Sequence, residues 1–163
     1  MSKPKMHKTS IDLNSETREQ VVALLNQQLA DTFDLYSQTK QAHWNVKGMQ
    51  FMQLHELFDQ LAGDLLPHVD EIAERVTSLG GTAMGTARMA GGTSRLPEYS
   101  AETIGGRESV EALVTRYAAL AASTRAAIEA ADELGDADTA DLFTSVSRGL
   151  DKSLWFLEAH LQS

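Results

Sequence analysis

Cysteine is absent from the 163 residues, which removes disulfide scaffolds and thiolate metal sites at once. Any metal must then be held by His, Asp or Glu, a donor set that suits iron, manganese or zinc and neither copper(I) nor iron–sulfur clusters. No apolar run comes near the ~18 residues that span a bilayer, and the basic N-terminus is not followed by the apolar stretch of a signal peptide. The sequence therefore reads as that of a cytoplasmic protein with no membrane partner. Positive charge is also short: the formal net charge is −9, which argues against a body that grips nucleic acid. The exception is the start of the chain, where Lys3, Lys5 and Lys8 occur with no acidic residue among positions 1–8. With 42% hydrophobic residues, one well-buried domain is expected, and the length is too short for two large ones.

The apolar residues recur with helical spacing. Asn14, Ser15 and Glu16 make an N-terminal cap, after which Val22, Leu29, Tyr36 and His43 repeat in heptad register and carry a first helix to about Lys47. A second helix is expected over 50–79, between the Gly48-Met49 turn and Leu79-Gly80-Gly81, a glycine C-terminus. The stretch 82–106 is glycine-rich and long for a connection in a compact domain, which predicts a short helix of its own at 86–90. A third long helix starts at about Arg107 and stops before Gly135; Asp136 caps a fourth that runs on Leu142, Val146, Leu150, Leu154, Leu157 and Leu161. Four long helices joined in this way make an all-α up-down bundle with one long crossover between the second and third. The domain spans 15–163, behind a flexible basic tail at 1–14. Pro67 falls in the middle of the second helix, where it removes a backbone hydrogen bond and presses on the carbonyl of residue 63 at a cost of ~3 kcal/mol. Because residue 63 is glycine, a kink with the helix continuing is expected.

That second helix carries His55, Asp59, Asp70 and Glu74. At roughly 100° per residue the last three lie at about 40°, 60° and 100° from His55, on one stripe. The stripe runs along the flank of an apolar face that includes Phe58, Leu61, Leu65, Leu66, Ile72 and Val76. Asp59 and Asp70 are about 16 Å apart along the axis, so no single ion bridges them. The four positions are, however, symmetric about a point between Asp64 and Leu65. An antiparallel second copy sets His55 opposite Glu74 and Asp59 opposite Asp70, and a two-fold dimer, the commonest closed symmetry, would build two identical sites. His43, about as far from the Gly48 turn as His55, joins them from the first helix. A His–Asp pair at this spacing is also what an ordinary surface pair looks like, worth ~0.2–0.5 kcal/mol. Asp70 and Glu74 repel each other, and beside an apolar face they want a cation.

The segments Lys40-Gln41-Ala42-His43-Trp44-Asn45 with Gly48, His55-Glu56-Leu57-Phe58-Asp59, Asp70-Glu71-Ile72-Ala73-Glu74-Arg75 through Gly81, Thr139-Ala140-Asp141, and Asp151-Lys152 leading to Leu154-Trp155-Phe156-Leu157-Glu158 resemble the Dps proteins. These are miniferritins named for DNA protection during starvation, and the resemblance covers nearly the whole chain after residue 14. The Glu-x-x-His motif of a conventional ferritin occurs nowhere in the chain. What the resemblance implies is a ferritin-like four-helix bundle, assembled through two-fold and three-fold interfaces into a hollow homododecamer with ferric mineral inside. It implies ferroxidase sites at the dimer interface, with His43, His55, Asp59, Asp70 and Glu74 as iron ligands and hydrogen peroxide as the preferred oxidant of Fe(II). Zinc or manganese would be substitutes for iron.

Trp44 follows a ligand directly; the resemblance implies an electron donor there, and a packed interface aromatic is the alternative. Lys40, one turn before His43, is placed to pair with a ligand carboxylate or to steer peroxide. In the family, acidic residues near the start of the last helix line the three-fold pores, and Asp136, Asp138 and Asp141 stand in that region, where helix capping also favours aspartate. Lys3, Lys5 and Lys8 are candidates for sequence-independent contact with DNA, multiplied by the shell; a solvated terminus is the alternative. Two competing functions are a nucleoid DNA-binding protein with metal in a minor role and a helical scaffold with inert sites. The full ligand set favours a ferroxidase of the bacterial cytoplasm, associated with the nucleoid if DNA is bound.

Overall fold

In the computed structural model residues 5–162 are described, and they form α1 (Ser15–Asn45), α2 (Phe51–Ser78), α3 (Ala87–Thr93), α4 (Gly106–Glu133) and α5 (Ala137–Glu158). The first helix begins where the Asn14 side chain accepts from the Thr17 N–H at 2.9 Å, satisfying a donor that the helix itself cannot. It stops short of Gly48, whose φ of +122° belongs to the turn that reverses the chain. α1 and α2 pack as one hairpin and α4 and α5 as a second, with α1 also against α4 and α2 against α5. Large side chains from all four long helices meet in the middle, among them Leu35, Phe58, Tyr117 and Phe143, each fully buried and each worth roughly 1.5–3 kcal/mol in burial. The Tyr117 hydroxyl lies 3.2 Å from Thr39 Oγ1, and Thr39 Oγ1 donates to the Leu35 carbonyl at 2.7 Å, so Tyr117 is the donor of that pair. Burial pushes the Tyr117 phenol far above its ordinary range.

The crossover carries α3, which lies on α1. It runs past the 86–90 expected from composition and takes in Gly91 and Gly92. Its ends are fixed from outside: Thr86 caps the start, while beyond the end Ser94 Oγ donates to Asp34 at 2.6 Å and Arg95 donates from backbone and side chain to the buried Asp31. Held at both ends, the glycines are helical despite their propensity. Pro67 does not break α2. Both Pro67 and Gly63 face solvent, where nothing stands within 4 Å of a Cβ at Gly63, so the displaced carbonyl has open space to tilt into. Leu66, expected in the core, is 44% exposed. At about 20° from His55 it sits on the edge of the apolar arc, beside the polar stripe.

Ahead of α1 the chain lies on the bundle. His7 N–H donates to the Gly80 carbonyl at 2.8 Å, and Arg18 donates to the carbonyls of His7, Leu13 and Leu79. Met6, Ile11 and Leu13 rest against the core. Gly80, at φ +89°, lets the two segments touch: a Cβ there would run into the His7 carbonyl. Within the span read as a tail, Lys5 and Lys8 are exposed, and Lys3 lies outside the described residues. No described helix is long and apolar enough to cross a membrane.

Candidate metal centre at the first hairpin

The Gly48 turn brings the end of α1 against the start of α2, and His43 and His55 meet there. Their rings stack with centroids 3.9 Å apart and planes 17° from parallel. Each also bonds to the other's backbone, His43 Nδ1 to the His55 carbonyl at 2.7 Å and His55 Nδ1 to the His43 carbonyl at 2.8 Å. A carbonyl oxygen only accepts, so both Nδ1 atoms must carry the proton. That leaves Nε2 of each ring as the atom available to a metal, the arrangement in which a backbone partner sets tautomer and ring direction. Phe51 stacks on His55 at 5.0 Å and closes one side.

Asp59, one turn after His55, points into the same corner, with Oδ1 3.9 Å from His43 Nε2. The same oxygen accepts from Lys40 Nζ at 2.6 Å. Lys40 holds the Asp59 carboxyl below the usual carboxylate range, chiefly through that hydrogen bond and then through its charge. Asp59 is 59% exposed, so a cation arriving from solvent reaches it without opening the fold. Lys40 also lies 5.6 Å over the Trp44 ring, and Trp44 is 64% exposed.

Asp70 and Glu74 lie further along α2, exposed, with no ion pair among the described residues. One chain thus brings together His43, His55 and Asp59 and leaves Asp70 and Glu74 apart. Among the described residues no group of three His, Asp or Glu side chains in one chain could hold a metal. Two imidazole nitrogens and a carboxylate are half of a site for a borderline first-row cation, and the unpartnered carboxylates are the kind of donors that would complete it.

The three aspartates at the start of α5 divide. Asp136 is 2% exposed and fully engaged: its side chain accepts from Thr139 N–H and Oγ1, while Arg75 Nη2 donates to its two oxygens at 2.8 and 3.1 Å. It caps α5 and ties it to α2. Asp138 and Asp141 are exposed. Sequence reasoning missed the reciprocal histidine bonds, the Phe51 stack and the Arg75 partner of Asp136. The first two follow from the hairpin register, whereas the last joins residues 61 positions apart and leaves no periodic signal.

Residues 22–163 match the family model of the ferritin-like domain. The chain is similar to the DNA protection during starvation protein of Agrobacterium fabrum, with 49% identity over 158 residues, 97% of this chain and 98% of the relative. Its structure is similar to that of DpsC from Streptomyces coelicolor, with a TM-score of 0.94 and 30% identity over 100% of this chain and 95% of that one. It is also similar to the Dps protein from Vibrio cholerae O1, described as a member of a broad superfamily of ferritin-like diiron-carboxylate proteins, with a TM-score of 0.89 and 30% identity over 97% and 99% of the two chains.

Proposed function

Because this chain belongs to the Dps family of ferritin-like proteins, we propose that it oxidises Fe(II) with hydrogen peroxide and stores the ferric product inside a dodecameric shell. The observation that carries this reading is the pair of Nδ1-locked histidines, of which His43 presents its Nε2 3.9 Å from Asp59 Oδ1. Fe(II) is the substrate; His43, His55 and Asp59 of one copy hold it together with Asp70 and Glu74 of a second. Two Fe(II) each give one electron to one peroxide, its O–O bond breaks, and two protons from solvent complete two waters. Carboxylate donors favour Fe(III) over Fe(II), so the ligand set itself pulls the reaction forward. Zinc or manganese would bind the same donors.

The chain's own groups divide the work. The backbone carbonyls of His43 and His55 aim the rings, and Lys40 pairs with the Asp59 carboxylate until a cation replaces it. Trp44, exposed beside Lys40, is an electron donor to oxidant left at the site. Asp138 and Asp141 line the entry for iron at the three-fold pores. Sequence-independent contact with DNA is a second role, supported by the name of the Agrobacterium relative and by exposed Lys5 and Lys8; it would place the protein on the nucleoid of a bacterial cytoplasm.

The shared site is tested by mixing. His55→Ala and Glu74→Ala should each abolish rapid Fe(II) oxidation read by ferric absorbance. Assemblies reconstituted from equal amounts of the two should recover about one quarter of the sites, because a two-fold dimer of unlike chains keeps one intact site and loses the other. No recovery in the mixed assembly would overturn the shared geometry.

A further inference from the structure

Among the described residues of the single chain, two methionines stand mostly in solvent. Met49, on the turn between α1 and α2, is fully exposed, and Met52, in the first turn of α2, is 55% exposed. A side chain of this kind left in water forgoes roughly 1.5–3 kcal/mol that burial supplies. Met6, by contrast, packs on the core and Met84 is half-buried. Both exposed methionines belong to the segment that builds the metal centre. Met52 precedes His55 by about 4.5 Å along the same helix, Phe51 beside it stacks on the His55 ring, and Met49 sits on the turn that joins the two histidine-bearing helices. A third exposed methionine among the described residues, Met89 at 40%, belongs to α3 in the crossover.

Resting on the ferroxidase reading, we propose that Met49 and Met52 form a modification site, at which oxidant escaping the metal centre is consumed as methionine sulfoxide before it reaches His43, His55 or Trp44. The oxidant is hydrogen peroxide activated by a lone Fe(II). That iron gives one electron, the O–O bond breaks, and the hydroxyl radical takes an electron from the thioether sulfur. The resulting Fe(III) removes the second electron, water adds its oxygen to sulfur, and two protons neutralise the hydroxide released. Net, one thioether and one peroxide become one sulfoxide and one water, the sulfur losing two electrons and the iron returning to Fe(II). Unlike damage to an imidazole or indole, sulfoxide formation is reversible by thiol-dependent reductases.

The test uses the assembled full-length protein given repeated additions of Fe(II) with hydrogen peroxide, and in parallel Zn(II) with the same peroxide, followed by peptide mass spectrometry. In the iron arm, sulfoxide at Met49 and Met52 should exceed that at Met89 several-fold, whereas in the zinc arm the three should follow exposure alone. A Met49→Leu/Met52→Leu variant should match the parent rate on the first iron addition. On later additions it should lose activity sooner, with oxidation appearing at Trp44 and His55. Fe(II) oxidation that leaves Met49 and Met52 reduced, as when a second copy covers them, overturns this proposal alone, and so does a variant that lasts as long as the parent. No Fe(II) oxidation on the first addition overturns the ferroxidase reading and the proposal with it.

Discussion

The two ends of α2 carry similar charged groups in opposite surroundings. Near its C-terminus Arg75 meets Asp136 inside the bundle, with Thr139 filling the remaining hydrogen bonds. Near its N-terminus Lys40, covered about as well as Arg75, meets an Asp59 carboxylate that stands in the open, with histidines alongside. A sealed pair cannot be broken without leaving a charge where water does not reach, so it serves to fix one helix against another. An open pair costs little to break, and its carboxylate stays exchangeable for another cation. The same distinction separates the Tyr117–Thr39 bond, deep among the helices, from the histidine corner, which is half-buried and faces outward.

Removing Asp136 tests the sealed side most severely. Asp136→Ala strands Arg75 and deletes the α5 cap, and denaturant unfolding should show a loss of about 3–5 kcal/mol; a loss no larger than that of a surface substitution would erase the contrast. Tyr117→Phe is milder. At neutral pH it forfeits one buried hydrogen bond, about 1 kcal/mol. At alkaline pH the order reverses: the unfolded tyrosine releases its proton near pH 10 while the buried one holds it, so the parent loses stability as pH rises past that point and the variant does not. Stability measured across pH 8 to about 11 would show the two curves converge and then cross.

The smallest effect on stability belongs to Lys40→Met, for which no measurable change in unfolding is expected, because its partner is solvent-exposed. Its signature lies in Zn(II) binding followed by calorimetry. Without the competing ammonium, affinity at neutral pH should rise. Without the hydrogen bond that lowers the Asp59 carboxyl, that affinity should begin to fall from its neutral-pH plateau at a higher pH than in the parent. Unchanged affinity together with unchanged acid release would show that Lys40 does not control Asp59.

Whatever recurs along the chain is legible in its sequence. The heptad through Val22, Leu29, Tyr36 and His43 placed α1, the glycines at 48, 80 and 135 marked where helices end, and Gly63 allowed Pro67 to sit inside an unbroken α2. His43 and His55 were placed side by side by counting from the turn. What stayed hidden depends on pairs far apart in sequence: Arg95 reaching Asp31, Arg75 reaching Asp136, and His7 reaching Gly80. None has a period, and each decided a local outcome that composition alone had left open, such as the length of α3 or the use of Asp136. Leu66 shows the converse, since helical phase put it at the rim of the apolar arc and only the neighbouring helices determine how far that arc is covered.

The crossed bonds between His43 and His55 also act as a safeguard. Each ring is oriented by a carbonyl on the opposite helix, so an open or slipped hairpin presents two freely rotating imidazoles with no fixed tautomer. Only a chain that has closed this turn correctly offers both Nε2 atoms together. On the ferroxidase reading, competence to engage iron is therefore withheld from nascent and unfolding chains, the very species that could least contain the radicals such a metal makes.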